Sequence, residues 1–65
     1  MSSYLKSTQH PETGKVEHAE WLDDYFGQHN YGVRFPSDGK VFRADEYDWQ
    51  EDYETMAMVP YHIGS

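Results

Sequence analysis

The side chains in this chain that could do chemistry are histidines and carboxylates; there is no cysteine, so no thiolate metal site and no disulfide. His10, His18, His29 and His62 stand far apart. No pair has the i, i+3 or i, i+4 spacing that sets two imidazoles on one helical face for a metal, and no HExxH or Cys/His pattern occurs. His18 with Glu17 and Glu20, or His29 with Asp23 and Asp24, could meet a metal only if the fold assembled the site. The sequence reads all four as surface or turn histidines. Asp23-Asp24 and Glu51-Asp52 are adjacent carboxylates. Acid–base work needs two carboxyls whose pKa values are pushed apart by different environments, and a chain this short offers little desolvation. Ser2, Ser3, Ser7 and Ser37 sit in no nucleophile-elbow pattern, and no glycine-rich loop could cradle a phosphate. The expectation is a non-enzyme with no metal and no cofactor.

The most distinctive stretch is Asp45 to Glu54, DEYDWQEDYE, with six acids among ten residues and three aromatic rings between them. Three readings compete. The run keeps an aromatic-rich protein soluble. Or it docks on a basic partner, with carboxylates speeding encounter and Tyr47, Trp49 and Tyr53 as anchors, since Tyr and Trp dominate interface hot spots. Or it mimics nucleic acid, holding carboxylates where a basic groove awaits phosphates. The candidate partner-binding residues are Asp45, Glu46, Tyr47, Asp48, Trp49, Glu51, Asp52 and Tyr53. Asp23, Asp24 and Tyr25 form a secondary candidate patch. Lys15, Arg34, Lys40 and Arg43 count against a purely acidic body; Arg34 and Arg43, on facing strands of the 31–44 hairpin, are read as pairing with local acids or lying over rings.

These residues must be positioned by short strands. Tyr31, Val33 and Phe35 alternate with Gly32 and Arg34, the period of a half-buried strand. Pro36-Ser37-Asp38-Gly39 is turn chemistry, and Lys40 to Ala44 returns as a second strand. Register there is open, because a three- or four-residue loop both fit. Tyr4 to Thr8 is a further strand, and His10 to Lys15 a further turn with proline early and glycine late. These two similar hairpins are the only internal repetition. Residues 16–26, VEHAEWLDDYF, are ambiguous. A helix would put Val16, Ala19, Leu22 and Phe26 on one stripe. A strand would pair Val16–Leu22 back onto Tyr4–Thr8, with Glu17, Ala19 and Trp21 on one face and a loop from Asp23 to Asn30. Met56, Met58 and Val59 suggest a last strand ended by Pro60, and residues 60–65 a frayed tail. The expected fold is mainly β: a small antiparallel sheet or SH3-like barrel of four or five short strands. The alternative is α+β, with a helix at 16–26 packed on the 31–44 hairpin.

The chain has 65 residues, enough for one small domain, residues 1–65. A chain of this size buries only about 60% of its unfolded surface. Its eleven large rings, six Tyr, three Phe and two Trp, must supply most of the core. A net charge of −7 repels free nucleic acid and anionic membrane and favours basic partners. No apolar run is long enough for a signal peptide or a membrane span, so the expected location is cytoplasmic. Small size, absence of cysteine, acidity and many aromatics, together with the stretch WLDDYFGQHNYGVRFPSDGKVFRADEY, resemble small phage-encoded proteins that bind and inhibit a host factor. The resemblance implies a partner in the host cytoplasm; the charge and the 45–54 run make that partner a basic protein, and in the mimicry case a nucleic-acid-binding one. It carries no functional residues over. A self-assembling structural protein, using Tyr31, Phe35 and Phe42 as sticky edges, is the alternative from another class.

Overall fold

The His10–Lys15 turn decides how the first third of the chain folds. In the computed structural model, which describes residues 3–62, it closes a hairpin between β1 (Ser3–Gln9) and β2 (Val16–Leu22). The two strands pair antiparallel from Ser3 opposite Leu22 to Gln9 opposite Val16. The helix alternative at 16–26 is overturned. Its stripe would have buried Val16 and Phe26, yet these are 49% and 36% exposed, while Ala19 and Trp21 alternate into the core as a strand requires. The turn wins because it delivers Val16 already in register with Gln9, before a helix has a first turn to build on. Residues 23–30 are the loop. Asp24, Gly27, Gln28 and His29 all have positive φ there, and the Asp24 carboxylate accepts the His29 backbone N–H.

The second hairpin joins β3 (Gly32–Arg34) to β4 (Val41–Arg43). Its loop has four residues, Pro36 to Gly39. The Phe35 N–H donates to the Lys40 carbonyl at 3.0 Å and the Gly39 N–H to the Phe35 carbonyl at 2.8 Å. The first turn is built the same way: the His10 N–H donates to the Lys15 carbonyl and the Gly14 N–H to the His10 carbonyl. Both follow the pattern X-Pro-x-x-Gly-Lys, and the glycine takes φ of 79° or 72°. A side chain there would be strained.

The third hairpin joins β5 (Tyr47–Asp52) to β6 (Ala57–His62), after a short 3₁₀ turn at Ala44–Glu46. Its turn repeats the geometry without the sequence. The Met56 N–H donates to the Asp52 carbonyl, and Met56 itself takes φ of 59°. Pro60 does not end the last strand: it lies within β6, opposite Trp49. Proline is tolerated there because β6 meets its other neighbour, β1, at Thr8 opposite Met58, before the proline is reached. Of the expected tail, residues 60–62 therefore belong to β6, and Ile63, Gly64 and Ser65 lie outside the described residues.

The strand order is β4-β3-β2-β1-β6-β5. Six strands form one curled sheet, a half-barrel. The mainly β expectation holds, with two differences: there are six strands, and the β1–β6 pair is parallel. Ala19, Trp21, Val33 and Phe35 fill the concave side, and Tyr31, Phe42, Ala44, Trp49 and Met58 pack against them. The β5–β6 hairpin thus closes over the core made by the first four strands. No helix among the described residues is long and apolar enough to cross a membrane.

Candidate functional site

The two proline turns pack side by side and create a buried polar cluster. The His10 ring is fully buried, 4.5 Å from the Phe35 ring and 5.2 Å from Phe42. Its Nδ1 accepts the backbone N–H groups of Glu12 and Thr13 at 3.0 and 3.3 Å, so the proton sits on Nε2, which donates to Asp38 Oδ2 at 3.0 Å. The sequence reading of a surface or turn histidine is half right. His10 starts the turn, but the neighbouring turn buries it. His18 is exposed on the outer face, His29 is exposed in the loop, and the His62 side chain lies outside the description.

His10, Glu12 and Asp38 offer three ligand atoms within 4.8 Å of one another. A metal on Nε2 would move the imidazole proton to Nδ1, where it would face two N–H donors. Glu12 is also held by Lys40 Nζ at 2.7 Å. Both ring nitrogens are engaged within the cluster. The cluster locks two turns together. The Lys40 backbone N–H on Asp38, helped by His10, holds that carboxyl below the usual range.

The other concentration of polar groups is electrostatic. Residues 1–43 carry six acids and five Lys or Arg, whereas residues 44–65 carry six acids and no Lys or Arg. Pairing crosses this divide in part. Arg34 meets Glu20, Lys40 meets Glu12, and Arg43 holds Asp45 through a two-bond fork at 3.0 Å that pulls the Asp45 carboxyl down. Lys6 reaches Glu51 at 3.8 Å. Among the described residues, Glu46, Asp48, Asp52 and Glu54 form no ion pair.

Strand alternation sorts the 45–54 run into two faces. Tyr47 and Trp49 turn inward. Trp49 lies edge-on to Trp21 at 5.2 Å and donates its indole N–H to the Ala44 carbonyl at 3.0 Å; Tyr47 packs against Phe42 and Trp49. These two rings, read as anchors from sequence, hold the hairpin to the core. Asp48, Gln50 and Asp52 point outward, opposite Tyr61, Val59 and Ala57. Tyr53, at the turn, is 84% exposed, and Tyr61 is 54% exposed. A surface hollow of about 510 Å³ opens on this side, with Gln50, Asp52, Tyr53, Glu54, Val59 and Tyr61 among its walls. Carboxylates beside tyrosine rings suit a cationic side chain, through charge and through the ring faces.

Glu54, Gln50, Val59 and Tyr61 were absent from the sequence-derived site. The alternation of Val59 with Tyr61 was the available signal, masked by reading Pro60 as a strand end. The secondary patch lies elsewhere, in the 23–30 loop. Asp24 is spent on the His29 backbone, and Tyr25 lies against Gly32 and edge-on to Phe26, over which Arg43 sits at 4.9 Å. Tyr31, Phe35 and Phe42, offered as self-associating edges, are core residues.

Set against known proteins, the chain matches no family model, no curated sequence and no solved structure.

Proposed function

We propose that this chain is a small acidic, non-enzymatic protein-binding module that docks on a basic surface of a partner through the β5–β6 hairpin. One observation carries the reading. Residues 1–43 carry five Lys or Arg against six acids, whereas residues 44–65 carry six acids and no Lys or Arg, and of these acids Asp48, Asp52 and Glu54 form no ion pair among the described residues and lie beside a tyrosine-walled hollow. Unpaired carboxylates on a rigid hairpin steer a basic partner in and then meet its cations. Where the partner uses that basic surface itself, docking inhibits it. Nucleic-acid mimicry is the sub-case in which the surface normally holds phosphates. In the setting that the phage resemblance implies, the partner is a host factor met in the host cytoplasm.

The test compares three forms of the protein, each immobilised and offered polylysine and a bacterial lysate. They are the wild type, Asp48→Lys/Asp52→Lys/Glu54→Lys, and the control Asp23→Lys/Asp24→Lys. Asp45 is left alone because Arg43 already occupies it. The wild type and the control should retain polylysine and the same basic protein at low salt. Both should release them at about 0.5 M, where screening shrinks to about 4 Å. The hairpin variant should retain neither. Equal retention by all three forms would remove the β5–β6 surface from the proposal.

A further inference from the structure

We infer that the partner supplies an extended basic segment that adds as a seventh strand along β5. This deepens the proposed function and rests on it. β5 is the last strand in the sheet order. Among the described residues its backbone bonds go to β6, from the Tyr47 N–H back to the Ala44 carbonyl, and from the Met56 N–H to the Asp52 carbonyl. Beyond Tyr47, whose N–H is taken by Ala44, no backbone bond among the described residues leaves the outer edge from Asp48 to Asp52. Such an edge is a template for another strand. β5 offers the five residues Asp48 to Asp52; the opposite edge, β4, has three residues.

Charge selects the occupant. A second copy of this chain fits poorly. Antiparallel self-pairing centred on Gln50 sets Asp48 opposite Asp52, and centring between Trp49 and Gln50 sets Asp48 opposite Glu51. Directly opposed like charges destabilise a strand pair. A segment with Lys or Arg at positions i and i+4 does the reverse. Asp48 and Asp52 lie on the outward face four residues apart, about 13.6 Å along a strand. The two cations then stand directly across from the two carboxylates, with Gln50 between them. The hollow beside Asp52, Tyr53 and Tyr61 receives the long side chain at that end.

The test uses three synthetic peptides of equal charge on the folded protein at low salt. The first has two lysines at i and i+4 in a Val/Thr strand. The second has the same composition with the lysines at i and i+3. The third is the first with alternate backbone nitrogens methylated. The first should bind and slow exchange of alternate β5 backbone amides by about tenfold or more, because exchange reports newly made hydrogen bonds. The second should bind more weakly, because its lysines fall on opposite faces, and the methylated peptide should give no protection. Equal binding of all three with unprotected β5 amides overturns strand addition and leaves the acidic docking surface standing. No binding by any of the three overturns both.

Discussion

The Thr8 hydroxyl is buried with two bonds, accepting the Trp21 indole N–H at 3.0 Å and donating to the Lys6 carbonyl at 2.9 Å. Thr8→Val keeps the shape and strands the indole N–H. The expected cost is about 1–3 kcal/mol, the usual penalty for an unpaired buried donor. A thermal midpoint unchanged from wild type would show that the bond contributes nothing. Asp38 makes the pH prediction. Its carboxyl is held below its ordinary value of 3.8 by the Lys40 N–H, with His10 adding. A depressed carboxyl adds stability that is fully present above that ordinary value and lost as pH falls through the folded one. Asp38→Asn should therefore be less stable than wild type at pH 7, and the difference should shrink on going below pH 4. Thermal midpoints of both proteins at pH 7 and pH 3 check this; a constant difference would contradict it. Neither pairing was legible in the sequence. Which side chains meet across strands depends on register, and a slip of one residue reverses every face. The Thr8–Trp21 bond became readable only once Thr8 was fixed opposite Glu17, which shares a face with Ala19 two pairs on and Trp21 four pairs on.

The three hairpins share one turn geometry, and only two have the residue it needs. Gly14 and Gly39 take positive φ with nothing within 4 Å of where a Cβ would stand; Met56 takes the same conformation with a side chain 59% exposed. Met56→Gly should stabilise the protein by about 1 kcal/mol, the cost of left-handed backbone for a residue with a Cβ. Gly14→Ala and Gly39→Ala should each destabilise it by a similar amount. Denaturation midpoints measure all three, and a less stable Met56→Gly variant would contradict the shared geometry. Gly32 acts differently, since a Cβ there would come within 2.9 Å of Tyr25. Gly32→Ala should cost about 1–3 kcal/mol by forcing the 23–30 loop off the sheet. The two proline turns and their strands were legible because turn chemistry and alternation agree there. The third turn was not, because Tyr53-Glu54-Thr55-Met56 holds neither proline nor glycine. The helix alternative at 16–26 arose because Ala, Glu and Leu favour helix locally, and the preceding turn overrode them.

At the scale of the whole molecule, the chain divides into a nearly neutral four-strand body and an acidic hairpin closing over its core. The acidic run was visible from composition alone. What composition could not show is that two of the run's three aromatics, Tyr47 and Trp49, serve the fold, and that the outward carboxylates share a face with Val59 and Tyr61. Trp49→Ala should consequently lower stability by about 3–5 kcal/mol, as large core truncations do, before any effect on binding can be read. Tyr53→Ala, at the exposed turn, should leave stability within about 0.5 kcal/mol of wild type and weaken binding alone. The most direct measurement is a backbone-amide NMR titration of the full chain with a lysine-rich peptide at low salt. The predicted result is that the largest shifts fall on Asp48, Gln50, Asp52, Glu54 and Tyr61, and that they vanish at about 0.5 M salt. Shifts centred on the 23–30 loop, or spread evenly over the surface, would contradict the assignment of the β5–β6 hairpin as the docking surface.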